Sequence, residues 1–304
     1  MAWYERMNMA IDYIEENLCN DINFEMISKI TCQSPVSFQR TFSIVTDISV
    51  FEYIRRRKLT LAAFDLQNSN VKVIDVALKY GYESPEAFTR AFKETHGTTP
   101  SKARKYGLPL KAFPRITFLL SLKGDSAMEY RIENKEAFTV YGIEGIFTME
   151  DGKNLKDVGA FWRECLESKR LEKLIESANE PRSCIYAVGD YRRTPDGDSS
   201  HSFPYMISVC RTENCNTSGY VEVEIPAATW AVFRSENYYT REQAIGMIRE
   251  QAGTSALHNF IKRIYTDWLP TAAYNKIHGY EMELYFISDI NKCYPEIWIR
   301  VEPK

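Results

Sequence analysis

The sequence lacks the features that mark exported and membrane-spanning proteins. Its start, Met-Ala-Trp-Tyr-Glu-Arg, has no basic cluster followed by an apolar run, and no later segment approaches the roughly 18 apolar residues of a spanning helix. The seven cysteines are odd in number and lack the spacing of a disulfide framework, which favours reduced thiols. We therefore expect a cytoplasmic protein without a membrane partner.

Metal-binding and catalytic motifs are also missing. Cys210 and Cys215 are the nearest cysteine pair, but no histidine stands near them, whereas zinc normally takes four ligands at short, repeated spacings. The sequence has no phosphate-binding loop and no motif that pairs a nucleophile with a base. We accordingly predict no catalytic residue, no metal and no cofactor.

The charge of the chain is low overall but unevenly distributed. Its 304 residues carry a net charge of −3, with 44% hydrophobic and 26% charged residues, which is typical of two ordinary globular domains. Residues 38–107 contain twelve Lys or Arg against seven Asp or Glu, whereas residues 1–37 contain two against six. The local basic surplus is compatible with a nucleic-acid-binding segment but does not establish one.

A nine-residue motif occurs twice in the first third of the chain. Residues 34–42 and, fifty positions later, residues 84–92 both read S-P-x-x-F-x-R-x-F, and each copy follows a short helical pattern, at 24–30 and 73–80. Serine at the N-cap followed by proline at the first helical position is a strong helix-start signal. Each copy therefore predicts a helix, a turn and a second helix.

The motif separates a buried face from an outward face on each second helix. Phenylalanines four residues apart should pack on one buried stripe, at positions 38 and 42 and again at 88 and 92. The outward face of such a helix can enter the major groove, where its polar side chains read base edges. The predicted DNA contacts from the two helices are Val36, Ser37, Gln39, Arg40, Glu86, Thr89, Arg90 and Lys93.

A basic segment lies on a long helix predicted at residues 49–67, between the two motifs. Arg55 is the residue of this segment that we predict to contact DNA, at a phosphate; the alternative is an ordinary solvated face. A helix of this length spans about 28 Å, so the two units could enter successive major grooves about 34 Å apart on a slightly bent duplex.

With these motifs in view, residues 21–106 resemble the DNA-binding domain of the AraC/XylS family of transcription regulators. The match extends to Phe51-Glu52-Tyr53-Ile54-Arg55, to Val76-Ala77 and Tyr80-Gly81-Tyr82, and to the ending Gly97-Thr98-Thr99-Pro100-Ser101. The resemblance implies base contacts from residues 36, 39 and 40 in the first unit and 86, 89 and 90 in the second. Its departures are Cys32 and Asp47, where the family often has glycine and the backbone often needs a positive φ.

The second part of the chain has an α+β pattern. After a Pro-bearing connector at 108–127, strands are predicted at 128–133, 138–147, 184–188, 204–211, 219–225, 229–234, 281–287 and 296–301, with helices at 155–177, 241–251 and 255–268. The fold class is thus multidomain: an all-α double helix-turn-helix at 1–107, followed at 128–304 by an α+β domain of two β-α-β-β halves with a ligand cleft.

Aromatic residues and two carboxylates mark the candidate cleft. Most aromatics in a domain belong to its core, but a glutamate within a central strand is costly to bury unless it is paired or meets a ligand. The strand glutamate is Glu283, and Glu296 at the start of the last strand is a second candidate. The predicted ligand-binding residues are Tyr141, Trp162, Tyr186, Trp230, Trp268, Tyr274, Glu283, Tyr285 and Glu296.

This second part resembles the GyrI-like (SOUL-like) effector-binding domain. The match rests on Phe161-Trp162, Trp268-Leu269-Pro270, the segment 280–285 and the segment 295–301. The resemblance implies that Glu283 and Trp162 lie in an aromatic cleft that receives cationic or amphipathic ligands, a setting that combines charge pairing with cation–π contact.

The two resemblances together imply a DNA-binding transcription regulator, controlled by a small apolar or cationic effector and acting with RNA polymerase. Activation is expected because regulators of this architecture usually activate. Two alternatives remain open: a hydrolase of a small lipophilic compound with Glu283 as general base, and a protein-binding module whose pocket is vestigial.

Overall fold

The computed structural model describes residues 3–105, 108–119, 128–179, 184–192, 201–235, 238–250 and 254–304. Two compact units emerge from the contacts within the chain. Unit 1 consists of Met1–Cys32 and Ile48–Leu119, and unit 2 consists of Gln33–Asp47 and Leu120–Lys304. The helix that follows Cys32, although it is part of the first helix-turn-helix motif, thus belongs to unit 2.

Unit 1 is helical. Its helices are α1 (Trp3–Glu16), α2 (Phe24–Thr31), α4 (Val50–Asn68), α5 (Val73–Lys79), α6 (Pro85–His96) and α7 (Pro100–Ala103), and the helix assigned to unit 2 is α3 (Pro35–Thr46). Nowhere in the described part of the chain does a helix have the length and apolar character that crossing a membrane requires.

The start signals and buried stripes predicted from the repeated motif are confirmed. The Ser34 hydroxyl accepts a hydrogen bond from the backbone N–H of Ser37, and Ser84 accepts one from Ala87. All four motif phenylalanines are fully buried, with ring centroids 6.1 Å apart in α3 and 5.5 Å apart in α6. The two helices therefore share one local design.

The two positions that lack the family's glycine do adopt the left-handed backbone region. Cys32 has φ 55° at the C-cap of α2, and Asp47 has φ 63° at the C-cap of α3. In each case the cap N–H still donates to the carbonyl oxygen four residues earlier, at Ser28 and Ser43. Both turns keep their geometry, although a residue with a Cβ in this backbone region costs conformational free energy.

The described part of the predicted connector, residues 108–119, is attached to unit 1. The Phe113 N–H donates to the Thr60 hydroxyl on α4, and the Phe118 backbone exchanges two hydrogen bonds of 2.8 Å with the Asn8 side chain on α1. The Pro-bearing composition indicates a linker, but its phenylalanines anchor the segment.

The described residues of unit 2 form an eight-stranded antiparallel sheet. Its strands are β1 (Tyr130–Lys135), β2 (Phe138–Thr148), β3 (Cys184–Asp190), β4 (Ser202–Cys210), β5 (Val221–Ile225), β6 (Ala228–Arg234), β7 (Tyr274–Phe286) and β8 (Tyr294–Pro303), in the order β1-β6-β8-β7-β3-β4-β2-β5. The helices are α8 (Lys153–Glu167), α9 (Arg170–Ser177), α10 (Arg241–Glu250) and α11 (Thr254–Arg263), which continues into a π-helical turn, Ile264–Trp268.

The two predicted β-α-β-β halves are confirmed, and each is preceded by an additional strand that pairs with the other half. One half contains β2, α8, α9, β3 and β4, and the other contains β6, α10, α11, β7 and β8. β1 leads into the first half but pairs with β6 of the second, whereas β5 leads into the second but pairs with β2 of the first. Two-residue connections at 136–137 and 226–227 join the two ends of the sheet, so the sheet must curl strongly.

Two predicted elements differ from those observed by more than a shift of one or two residues at their ends. The helix expected over 155–177 is broken between α8 and α9, where Lys169 has φ 59°. β7 begins seven residues earlier than the strand predicted at 281–287. The earlier part escaped prediction because a register shift between Lys276 and Glu281 interrupts the ladder around Gly279, whose φ is 138°. A positive φ inside a regular pattern leaves no periodicity signal.

Candidate functional site

Two carboxylates lie side by side in a cleft of unit 2. Glu281 and Glu283 are two residues apart on β7, so both point to the same face of the sheet, while Met282 and Leu284 point to the opposite core. β7 pairs with β3 at the junction of the two halves. The cleft is therefore built at the point where the halves meet, and α11 contributes Ile261 to its wall.

Glu281 is the more enclosed of the two and is bound by two cations. Its Oε2 accepts a hydrogen bond of 2.8 Å from Arg40 Nε, and its Oε1 accepts from Tyr265 (2.8 Å) and from Lys276 Nζ. Burial opposes ionisation, but Lys276 and Arg40 outweigh it and hold the pKa of this carboxyl well below its usual range. Glu281 is therefore ionised across the physiological range.

Glu283 is the more open carboxylate and is surrounded by aromatic groups. Its Oε2 accepts a hydrogen bond of 2.7 Å from Tyr285, and its Oε1 is 4.0 Å from Arg40 Nη2. The Tyr285 ring meets Trp162 edge-on with centroids 5.5 Å apart, and Trp162 Nε1 donates to Tyr205 at 2.9 Å. The prediction that Glu283, Trp162 and Tyr285 come together is thus matched by the geometry.

A cation from α3 lies between these carboxylates. The Arg40 guanidinium carbon is 4.7 Å from the centroid of the Tyr191 ring, while its nitrogens face Glu281 and Glu283. Burial disfavours its charge, yet Tyr191 and Glu281 raise the pKa of Arg40 above its ordinary value. The side chain is 18% exposed. The cleft therefore holds a planar cation under an aromatic face.

The other predicted base-reading residues of α3 are also enclosed in unit 2. Ser37 Oγ and His278 Nδ1 are 2.9 Å apart, and Gln39 Nε2 donates to His201 Nδ1 at 2.7 Å. Val36 is 1% exposed and joins the apolar cluster of unit 2. The expectation that this face of α3 points outward is wrong for this structure, because the face packs against the sheet domain instead of solvent.

The corresponding residues of α6 are placed as predicted. Glu86, Arg90 and Lys93 are exposed and Thr89 is half-buried, while the opposite stripe of α6 forms the core of unit 1 with α4 and α5. Arg55 on α4 is 39% exposed and pairs with Glu52 at 2.8 Å. Its predicted phosphate contact, like the base contacts of α6, stays a prediction.

Six predicted ligand-binding residues lie away from this cleft, which corrects the prediction that all nine line it. Side chains alternate across a strand, and the strand register pairs even-numbered residues with even-numbered ones across β3, β7, β8 and β6. Tyr186, Trp230 and Glu296 therefore lie on the face of Met282 and Leu284, opposite to the cleft. The other three serve packing: Tyr141 is fully buried and bonded to Ser177, Trp268 packs edge-on to Phe233, and Tyr274 starts β7 opposite Pro303.

Sequence reasoning missed several residues of the cleft. Glu281 shares the face of Glu283 by the two-residue period of a strand, so that signal was present. Tyr191 follows the end of β3, and Lys276 precedes the bulge in β7. The two-residue period of a strand does not extend to either position, so the sequence pattern could not place these side chains. Tyr205 and Tyr265 were missed as well, as were the apolar residues Ile261, Ile297 and Ile299.

Comparisons with known proteins agree with the family resemblances of both parts of the chain. A family model described as a GyrI-like small molecule binding domain matches residues 128–302, more than half of the chain, and a model described as a helix-turn-helix domain matches residues 27–106. The chain is an AraC-family regulator with a GyrI-like domain. The regulator is thus a DNA-binding protein that carries a small-molecule-binding domain.

Relatives of the regulator match its first third. The HTH-type transcriptional activator AarP of Providencia stuartii is 38% identical over 92 residues, 30% of this chain and 68% of AarP. Regulatory protein SoxS of Salmonella typhimurium is 33% identical over 104 residues, 34% of this chain and 97% of SoxS.

A bacterial transcription regulation protein from Staphylococcus aureus MU50, of known structure, is 20% identical, with a TM-score of 0.40 over 58% of this chain and 99% of its own.

Proposed function

We propose that the regulator responds to a lipophilic or amphipathic cation bound at Glu281 and Glu283. The observation that carries this proposal is the guanidinium of Arg40 between the two carboxylates and over the Tyr191 ring. A side chain of the protein itself reports which chemistry the cleft accepts, namely a delocalised cation with an aromatic neighbour.

The setting favours a cation with apolar substituents over a small hydrated ion. Glu283 keeps one oxygen 4.0 Å from the nearest cation, and the walls contain Ile261, Ile297 and Ile299. A charge removed from water needs a close opposite charge, and apolar substituents gain from burial against such walls. A neutral or acidic compound in the place of Arg40 would leave Glu283 without a nearby cation.

The proposed output is activation of transcription through RNA polymerase by a protein without enzymatic activity. AarP is named a transcriptional activator, and this chain shares its helix-turn-helix region. The cleft carboxylates are engaged by tyrosine, lysine and arginine side chains, an arrangement that suits holding a cation better than accepting a proton from water. DNA would be read at two successive major grooves.

The experiment that tests the ligand class compares phenyl-substituted compounds of similar size and different charge. Tetraphenylphosphonium, neutral triphenylphosphine oxide and anionic tetraphenylborate are added to the purified regulator, and the melting temperature is followed by differential scanning fluorimetry. We expect the phosphonium alone to raise it, and Glu283→Gln to remove most of that rise, because the mutation removes the charge but keeps the shape.

The matched control is Glu302→Gln, which removes one exposed carboxylate near the end of β8 and should keep the full response. Equal shifts with all three compounds, or an undiminished phosphonium response in Glu283→Gln, would contradict the proposal.

A further inference from the structure

The four residues of α3 predicted to contact DNA all contact the α+β part of unit 2. Val36 lies in its apolar cluster, Ser37 meets His278, Gln39 donates to His201, and Arg40 pairs with Glu281. A base edge needs the same side-chain atoms that these contacts use. While α3 is docked in this way, its DNA-facing surface is unavailable.

The docked helix is anchored at both ends as well as in the middle. At its start, Ser34 Oγ donates to the Tyr191 carbonyl oxygen at 2.8 Å. At its end, Asp47 accepts a hydrogen bond from His258 Nε2 at 2.9 Å and one from Lys262, both on α11. Such contacts along the whole length of α3 hold one register of the helix against the sheet domain.

We infer that Arg40 is an internal ligand of the effector cleft, and that a cation which takes its place releases α3 for DNA binding. The inference rests on the proposed function, since the effector must be a cation that uses Glu281 and Glu283. Arg40 occupies the position between Glu281 and Glu283, so an effector cation that takes this position and docked Arg40 exclude each other. An effector that binds only the undocked state shifts the population towards it.

The docked state also contains an element that opposes it. Gln39 Oε1 is buried without a hydrogen-bond partner among the described residues. A buried acceptor without a donor destabilises the docked state. After release of α3, this oxygen can accept a hydrogen bond from water or from an adenine amino group. Release of α3 would remove this cost, which favours a reversible switch over permanent docking.

The first test measures cation affinity by isothermal titration with tetraphenylphosphonium. Arg40→Ala removes the competitor, so we expect its Kd to fall about tenfold or more, which is the gain when a docked population of about 90% is abolished. The matched control is Arg90→Ala, which removes the arginine at the same motif position of α6, a helix of unit 1; its Kd should equal that of the wild type.

The second test measures DNA affinity without effector. The probe is a duplex selected by the wild-type protein from random-sequence DNA, and the readout is fluorescence anisotropy. Lys262→Glu turns the contact with Asp47 into repulsion, outside the cleft and outside the DNA-facing surfaces, and should tighten DNA binding about three- to tenfold. Lys173→Glu makes the same charge change at an exposed position of α9 and should weaken binding slightly or leave it unchanged.

The outcomes separate the two proposals. Equal phosphonium Kd values for wild type, Arg40→Ala and Arg90→Ala overturn the inference and leave the proposed function standing. No phosphonium binding by any of the three overturns the proposed function and, with it, displacement by a cation. Lys262→Glu that binds DNA no better than Lys173→Glu overturns the docking of α3 as a restraint on DNA binding.

Discussion

His96 shows at the scale of one residue how unit 1 depends on pH. The ring is 7% exposed, lies 4.3 Å from the Phe92 ring, and donates from Nε2 to the Leu59 carbonyl oxygen at 3.1 Å. Burial lowers its pKa below the ordinary value of 6.5, because the charged imidazolium is poorly solvated there. The folded protein therefore holds the neutral ring.

We predict that this histidine makes the protein less stable in acid. Below about pH 6.5 the unfolded chain takes up the proton before the folded chain does, so stability falls with decreasing pH until the folded pKa is passed. The slope from this one group is at most about 1.4 kcal/mol per pH unit. Urea unfolding between pH 7.5 and 5 measures it. His96→Gln should flatten that part of the curve, and parallel curves for the two proteins would argue against the assignment.

Residue-level prediction succeeded where a period carried the signal. The alternation of Met282, Glu283 and Leu284 located the cleft carboxylate, and the four-residue spacing of phenylalanines located the buried stripes. It failed for Glu296, whose burial is real but whose partners are Arg131 and Trp298 on the other face of the sheet. A single sequence shows that a buried carboxylate needs a partner and cannot show which partner it has.

At the scale of elements, the two left-handed C-caps offer a matched comparison. Cys32 is exposed, and its thiol makes a long hydrogen bond of 3.9 Å to the Lys29 carbonyl oxygen. Asp47 has the same backbone conformation but contacts both His258 and Lys262. Glycine removes the conformational cost at either position.

We predict that Cys32→Gly raises the free energy of unfolding by about 0.5–1 kcal/mol, whereas Asp47→Gly gives a smaller gain or a loss. Asp47 accepts this backbone more readily than cysteine does, and its ion pairs vanish in the variant. Chemical denaturation of the two variants and of Cys32→Ala, which removes the thiol but keeps the Cβ, would measure the difference. A Cys32→Gly variant no more stable than Cys32→Ala would exclude backbone strain as the cause.

Element prediction was good for helices with clear caps and poorer where the backbone departs from a regular period. α3, α4 and α6 begin within one residue of the expected positions because Ser34, Ser49 and Ser84 cap them. The early start of β7 and the break at Lys169 depend on single positive-φ residues, which composition does not reveal. The docking of α3 depends on surfaces distant in sequence and was likewise out of reach.

At the scale of the whole molecule, the additional strand β1 links the two halves of unit 2. Arg131 on β1 makes two hydrogen bonds of 2.9 Å to Glu296 on β8, and Trp298 Nε1 also donates to this carboxylate. Glu296 is 3% exposed, whereas the Arg131 side chain is 44% exposed. An edge strand that leads into the first half thus supplies the counter-charge of a carboxylate buried in the second.

We predict that Arg131→Ala lowers the free energy of unfolding by about 1–2 kcal/mol, because it leaves a buried carboxylate with one donor; the exposure of Arg131 reduces the effect below that of a fully buried pair. Arg170→Ala, which breaks an exposed pair with Glu164, should change it by less than about 0.5 kcal/mol. Thermal unfolding followed by tryptophan fluorescence would compare them, and equal losses would show that β1 adds no special restraint.

The position of Arg40 has a consequence for how such a regulator can evolve. On our inference one codon serves two partners, since the side chain that pairs with the cleft carboxylates is also the one predicted to read the operator. A substitution that adapts the protein to a new promoter would change its threshold for the effector at the same step, and the reverse holds as well. Selection on effector sensitivity and selection on the DNA target therefore act on the same position. At Arg90, the matching position of the second motif copy, selection would act on DNA recognition alone.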